Sequence, residues 1–250
     1  MPGGDQPSLP TVSANLPRSI NGSVRIEVRD AVPLEPDHKP GGEGPRHNYL
    51  AIEGDYADQV GDFAFSPGIA VYDVDDFRNV LITQPTTLDG FNKRLEVLKS
   101  LLNEKRNPSA QGEIEIVRYM EPEQVLRAHT RIVTFKGGHA LAYLTQFQPD
   151  AGYITNRGLT YVVQGLTTDG KYYLFGMFPV RVGFLPEDSD ITDFEEYRIP
   201  EYTPTEAEAQ EYSRYLRRIE TRLENTPSGK FLPDLRELDT FISSIDISSE

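Results

Sequence analysis

Apolar residues in the middle of the chain alternate with polar ones or run together in a pattern that predicts two consecutive β-hairpins. The segments that join these β-rich runs contain Gly-Gly or Asp-Gly, and glycine accepts the positive φ angles that tight hairpin turns require. The predicted strands and turns, in chain order, are 127–135, a turn at 136–139, 140–147, 159–166, a turn at 167–171, and 172–180.

Weaker patterns on either side of the hairpins complete the predicted fold. Alternation predicts a half-buried strand at 23–28, and apolar stripes at helical spacing predict a helix at 88–105. Because tight turns and not alternating helices join the strands, the predicted class is α+β, with an antiparallel sheet of five to seven strands built from hairpins. A mid-chain helix and a C-terminal helix pair would pack on this sheet. The remaining predictions are strands at 49–52, 68–74 and 113–119, a turn or short helix at 121–126, and helices at 205–223 and from 233 onwards.

Aromatic residues are concentrated in the hairpins and occupy both alternating positions of the last strand. Tyr172 and Tyr173 are sequence neighbours, and adjacent residues of a strand point to opposite faces of the sheet. Both faces of the second hairpin are therefore apolar. Either helices cover both faces, which is the favoured alternative, or one face exposes an aromatic patch that binds another molecule.

Charge and residue usage exclude several partners and chemistries. The formal net charge is −14, so nucleic acid is not expected as a partner because its phosphates would be repelled. Between residues 186 and 211, ten acidic residues accompany a single arginine. The chain has no cysteine, which excludes disulfides, thiolate metal sites and a cysteine nucleophile. No apolar run of about 18 residues is present, so no membrane-spanning helix is predicted.

The acidic segment contains the best candidate for a metal site. Asp188, Asp190 and Asp193 are closely spaced carboxylates that could converge on Ca²⁺. The segment lacks the glycine and the glutamate that an EF-hand needs at its sixth and twelfth positions, and a solvated acidic loop is the alternative. Apart from calcium, no cofactor is predicted. The histidines share no metal-ligand spacing and are interpreted as solvated or packed; they are His38, His47, His129 and His139.

Polar residues beside the aromatic hairpins are the candidate ligand-binding residues. They either line a pocket or satisfy backbone groups at the ends of strands. No nucleophile elbow, P-loop or dinucleotide-binding motif is present, so no catalytic residue is predicted. The candidate set is Gln146, Asn156, Arg157, Tyr161 and Gln164.

The hairpin block resembles a block found in uncharacterised exported bacterial lipoproteins, where a "LTQ…N…YxxQGLTsDGkYY" pattern precedes an apolar strand ending in Pro-Val. The matching residues here are 142–147 (AYLTQF), Asn156-Arg157, 161–173 (YVVQGLTTDGKYY) and Pro179-Val180. A weaker likeness over 67–74 and 231–245 extends the resemblance to about half of the chain. The family implies a location in the cell envelope and brings no known activity. The order of the elements is also similar to that of PsbP-like proteins.

The N-terminal segment is compatible with two origins. Residues 1–10 are rich in proline and glycine and lack the basic start and apolar core of a signal peptide, and the lipid-bearing cysteine of the family is missing. They are typical of a tether that follows a removed signal or lipidated residue, or of an ordinary disordered terminus of a cytosolic protein. The resemblance favours an extracytoplasmic, cell-envelope protein that meets the membrane only through a removed N-terminal anchor. We expect residues 1–20 to be this disordered leader and residues 21–247 to form a single α+β domain.

Two functions are compatible with these observations. The first is a non-enzymatic cell-envelope module that binds an unknown protein or small ligand over the hairpin face. The alternative is a hydrolase-type enzyme whose carboxylates are dispersed along the chain, for instance Glu53, Asp55 and Asp73. That alternative requires two carboxyl groups that face one pocket and whose pKa values are pushed apart.

Overall fold

The fold consists of a large antiparallel sheet with helices on both faces. The structure, a computed structural model, describes residues 8–33, 44–56, 66–105, 114–118, 123–188 and 205–248. The strands are β1 (Thr11–Ser13), β2 (Ser23–Arg29), β3 (His47–Glu53), β4 (Gly68–Asp73), β5 (Glu123–Gln124), β6 (Ala128–Phe135), β7 (Gly138–Thr145), β8 (Phe147–Gln148), β9 (Thr160–Thr167), β10 (Tyr172–Pro179), β11 (Arg181–Val182), β12 (Phe231–Leu232) and β13 (Asp246–Ser248). The α-helices are α1 (Val74–Leu81), α2 (Pro85–Glu104), α3 (Glu206–Asn225) and α4 (Leu235–Ser243).

Seven of the strands form the main sheet, in the order β2-β3-β4-β10-β9-β7-β6. Every neighbouring pair in it is antiparallel. The two predicted hairpins, β6–β7 and β9–β10, lie side by side because β7 pairs with β9, and β4 then pairs with the free side of β10. The predicted class, α+β with an antiparallel sheet, a mid-chain helix and a C-terminal helix pair, is confirmed.

Helices cover both faces of the sheet, so the favoured alternative for the aromatic hairpins is confirmed. Tyr173 packs on one face with α1 and α2, whose buried stripe includes Phe77 and Phe91. Tyr172 packs on the other face with α3 and α4, whose buried residues include Tyr215 and Phe241. Both tyrosines of the pair are buried. Within the described ranges, no helix is long and apolar enough to cross a membrane.

The hairpin turns form where glycine was predicted to permit them. Gly137 and Gly170 have φ angles of 86° and 72°, a region in which side chains with a Cβ are strained. The two turns also meet, since the backbone N–H of Thr168 donates to the carbonyl of Gly137 at 2.8 Å. This contact helps to align the second hairpin with the first.

Three local predictions differ from the structure. The strand predicted to reach Val74 ends at Asp73, whose side chain accepts hydrogen bonds from the backbone of Asp75 (2.9 Å) and Asp76 (3.2 Å) and so caps the unpredicted helix α1. The described part of the segment predicted as a strand at 113–119, residues 114–118, is not a strand. The predicted turn or short helix near residue 124 contains the two-residue strand β5, which pairs with β8.

The packed part of the chain begins earlier than residue 21. Strand β1 pairs with β13 near the C-terminus, placing Val12 opposite Ile247. Val12 and Ile20 are buried in the core beneath α3 and α4. The sequence gives little sign of this because β1 has three residues and its partner is more than 230 residues away.

Candidate functional site

Gln164, one of the predicted ligand-binding residues, is fully buried in the middle of the sheet. Its Oε1 accepts hydrogen bonds from the Val117 backbone N–H (2.8 Å) and the Tyr173 hydroxyl (3.1 Å). Its Nε2 donates to the Glu115 carbonyl at 3.3 Å. The amide therefore fastens segment 114–118, which has no strand partner, to the centre of the sheet.

Three of the other four predicted residues also make side-chain hydrogen bonds within the chain. Gln146 is buried and bridges the Tyr153 carbonyl (3.0 Å) and the Thr155 N–H (3.0 Å). Asn156 binds the Leu185 carbonyl and the Val182 N–H in the same way. Tyr161 is buried between Arg131 and Asp239, whereas the side chain of Arg157 is exposed. The amides thus satisfy backbone groups, and a ligand-binding role for the set stays a prediction.

A row of polar and aromatic side chains crosses one end of the sheet on the face covered by α1 and α2. The strand register places Arg29 opposite His47 and Tyr72 opposite Tyr173. The rings of His47 and Tyr72 are 4.4 Å apart, and those of Tyr72 and Tyr173 are stacked at 6.2 Å. Arg29 also lies over the ring of Tyr49 on β3, with 3.3 Å between its guanidinium carbon and the ring centre. Direct side-chain contacts therefore link four neighbouring strands, β2, β3, β4 and β10.

Arg118 lies over this row. Its Nη1 donates to the Tyr72 hydroxyl at 3.3 Å, and its guanidinium carbon is 5.3 Å from the centre of the Phe175 ring. The segment that carries Arg118 is held by Gln164 and by Arg94, whose Nε donates to the Val117 carbonyl at 3.0 Å. The Nε atom of Arg118 is buried and has no hydrogen-bond partner. We define the arginine–aromatic cluster as Arg29, His47, Tyr72, Arg118 and Tyr173.

The surroundings of His47 in the cluster favour its neutral form. Burial lowers the pKa of His47 below its usual 6.5, and the positive charges of Arg29 and Arg118 lower it further. A hydrogen bond that His47 Nδ1 donates to the Pro45 carbonyl at 2.8 Å opposes this shift. Burial also raises the pKa of Tyr72. The cluster therefore has two permanent positive charges, of which Arg29 is paired with Glu27 at 3.4 Å.

The carboxylates proposed for hydrolase chemistry are not brought together. Glu53 is on the surface in an ion pair with Arg25, Asp55 accepts a hydrogen bond from Asn21, and Asp73 caps α1. Among the described residues, no two of these three carboxylates line the same pocket. In the part of the chain that the structure describes, these three carboxylates therefore give the second function no geometric support, and it stays a prediction.

The predicted calcium site lies mostly in a part of the chain that is not described. Asp188 is at the end of a described range, whereas Asp190 and Asp193 lie outside the described residues. In the ranges that are described, no three histidine, aspartate or glutamate side chains are grouped so that they could hold a metal ion. Calcium binding stays a prediction.

The histidines are dispersed through the structure. His38 is outside the described ranges, and His47 begins strand β3. His129 Nε2 donates to the Leu223 carbonyl at 2.8 Å, which ties β6 to α3. His139 Nδ1 is 3.1 Å from the Thr134 hydroxyl across the first hairpin. Only His47 is part of the cluster.

A second cationic surface follows the exposed side of α3. It borders a groove of about 840 Å³, lined in part by Arg214, Arg217, Arg218 and Arg222 together with Glu211. These side chains project side by side from one helix and are exposed. Arg222 also lies over an aromatic ring, that of Phe184, at 4.2 Å. The arginines of the cluster come instead from separate elements and converge on one row of aromatic rings, which fixes their geometry better. The cluster is therefore the stronger candidate site.

Comparison with protein-family models, with curated proteins and with solved structures finds no significant match to this chain. The candidate site consequently rests on the geometry of the residues themselves.

Sequence reasoning did not find Arg29, Arg118 or Tyr72. Arg29 follows directly on the predicted strand 23–28 in phase with Arg25, which is a weak local signal. Arg118 has no local sequence signal, because its position depends on the hydrogen bond between Gln164 and Val117, which are 47 residues apart in the chain.

Proposed function

We propose that the protein is a non-enzymatic module of the cell envelope that binds a small oxyanion ligand at the arginine–aromatic cluster. The observation that carries this proposal is Arg118, whose Nε is buried without a partner and whose guanidinium pairs with no carboxylate that the structure describes. A buried donor without an acceptor is costly, and an anionic ligand would supply the acceptor. The resemblance of the hairpin block to exported lipoproteins supports the envelope location.

The dimensions of the cluster favour a small ligand that has carboxylate or phosphate groups. Arg29 lies on β2 and Tyr72 on β4, which is two strand spacings or roughly 10 Å. Guanidinium groups bind carboxylates and phosphates through paired N–H donors. The buried ring of Tyr72, 3 % exposed, forms a rigid base for the cluster. A dianion or trianion of modest size would reach both arginines.

The chemistry of the cluster favours binding over catalysis. It offers guanidinium groups, phenols and a neutral imidazole. Its neighbouring carboxylate, Glu27, is already paired with Arg25 and Arg29. These groups can hold a charged ligand, but no activated nucleophile or acid–base pair is formed among them.

The pKa of His47 provides a direct test. An anion between Arg29 and Arg118 would offset the positive charges that lower the pKa of His47. Binding of phosphate or citrate should therefore raise the pKa of His47. The imidazole proton resonances are followed by NMR between about pH 5 and pH 8, with each anion titrated separately so that the responses distinguish phosphate from carboxylate ligands. The Arg118→Gln variant should lose most of the response.

The control is Arg214→Gln, which removes the same charge from the exposed side of α3. It should respond to the anions as the unmodified protein does. An unchanged His47 pKa with both anions, or an equal loss of response in the two variants, would contradict binding at the cluster. Fractionation of cells that express the native gene tests the envelope location separately.

A further inference from the structure

Among the described residues, nothing pairs with the outer edge of strand β2. It is the last strand in the sheet order, and within the described ranges it pairs only with β3. Half of the backbone N–H and C=O groups of such an edge point outward and can pair with another strand. Ile26 and Val28 are 47 % and 52 % exposed, so apolar surface accompanies the free edge.

The sequence of this edge is complementary to itself. Val24, Ile26 and Val28 alternate with Arg25, Glu27 and Arg29. We infer that β2 pairs antiparallel with β2 of a second copy of the chain, about a two-fold axis that places the two Ile26 residues opposite each other. The two sheets of seven strands then become one continuous sheet. This inference does not depend on the proposed ligand site.

The charges select this register over its neighbour. With Ile26 at the centre, Arg25 faces the partner's Glu27 twice, once on each side of the axis, and Val24 faces the partner's Val28. With Glu27 at the centre, Glu27 would face the partner's Glu27 and Arg25 the partner's Arg29. Like charges directly opposite in a sheet destabilise it, whereas opposite charges and paired β-branched residues stabilise it.

The pairing covers the apolar stripe and requires little rearrangement of the monomer. Val24, Ile26 and Val28 lie on the face that carries Leu50 and Ile52 of β3, so the stripe extends an existing core. In the monomer, Arg25 forms surface ion pairs with Glu27 and Glu53. Because surface ion pairs contribute little to stability, Arg25 can exchange partners at a small cost in free energy. Such a two-fold contact uses the same patch on both copies and closes on itself.

Cross-linking tests the register. The chain has no cysteine, so each introduced thiol is unique. The Ile26→Cys variant should form a disulfide-linked dimer on mild oxidation, because directly opposite Cβ atoms are about 4.5–5.5 Å apart. Val24→Cys and Val28→Cys should cross-link poorly alone and efficiently when mixed. Equal cross-linking of all three single variants, or preferential cross-linking of Ile26→Cys with Val28→Cys, would overturn the inference.

Charge-exchange variants provide a second test, in which sedimentation velocity measures self-association as a function of protein concentration. Arg25→Glu and Glu27→Arg should each weaken self-association at least about tenfold, because each places like charges opposite each other. An equimolar mixture of the two variants should restore it, since both facing pairs are again complementary. Arg78→Glu, on the exposed side of α1, is the matched control and should associate normally. A monomeric unmodified protein at all concentrations tested, or failure of the mixture to recover, would overturn the inference.

Discussion

At the scale of single residues, the role of a buried polar side chain depends on whether its donor and acceptor atoms find hydrogen-bond partners within the protein. Gln164 is enclosed by apolar strands, yet its amide is satisfied by a backbone N–H, a backbone carbonyl and the Tyr173 hydroxyl. The Arg118 Nε, delivered by the same segment, has no such partner. Buried polar groups in folded proteins are nearly always paired. The contrast between these two residues, joined by one short segment, is the basis for the proposed anion site at Arg118.

The lowered pKa of His47 predicts a specific dependence of stability on pH. Because folding favours neutral His47, the unfolded chain binds the proton more tightly, and the free energy of unfolding falls as pH drops from the usual value of 6.5 towards the lowered one. Above that range the contribution of His47 is fully present. Urea unfolding at a series of pH values should show this slope in the unmodified protein and not in His47→Gln.

Variant His139→Gln is the control for that experiment, since His139 is on the first hairpin, away from the cluster. It should show the same dependence of the free energy of unfolding on pH as the unmodified protein. If His47→Gln retains the same pH dependence as the unmodified protein, burial and the two arginines do not lower the pKa of His47 as the structure indicates.

At the scale of elements, local signals predicted the two hairpins, because the residues that decide their structure are close in the chain. The hairpins follow from Gly137 and Gly170 between apolar runs, and both glycines have the positive φ expected. Helix α1 was missed because its cap, Asp73, follows directly on a β-like run, and the strand pattern obscured the capping signal. Element boundaries of this kind are set by one side chain.

The cap of α1 gives a prediction about Asp73. Asp73→Ala should lower the free energy of unfolding by about 1 kcal/mol, because the N–H groups of Asp75 and Asp76 lose their acceptor. Asp73→Asn should restore most of it, since asparagine is an equally good cap. Chemical denaturation measures both values.

The matched control is Asp75→Ala, which removes a carboxylate that is 82 % exposed and paired with Arg78. A loss of less than about 0.5 kcal/mol is expected there. Equal losses for Asp73→Ala and Asp73→Asn would show that the charge of the carboxylate, and not its role as a cap, stabilises the helix.

At the scale of the whole molecule, the sheet order brings together residues that no local pattern connects. Strand β4 pairs with β10 across a separation of about 100 residues and so places Tyr72 beside Tyr173. The alternation of apolar residues predicts that strands exist and which face each side chain occupies. It does not predict which strands are neighbours, so the fold class was accessible from the sequence and the arginine–aromatic cluster was not.

The same limit applies to the ends of the chain, where β1 and β13 pair. Val12 is buried in the core, whereas its neighbour Thr11 on the same short strand is exposed. Val12→Asp should therefore lower the free energy of unfolding by about 2–4 kcal/mol, because it buries an unpaired charge. Thr11→Asp, with the same charge change, should stay within about 0.5 kcal/mol of the unmodified protein.

If thermal and urea unfolding show no difference between the two variants, residues 8–20 behave as the leader that the sequence suggested, and the domain begins after them. A large effect confined to Val12→Asp would instead place the start of the cooperative unit at β1, because the N-terminal strand would then unfold together with the core that α3 and α4 cover.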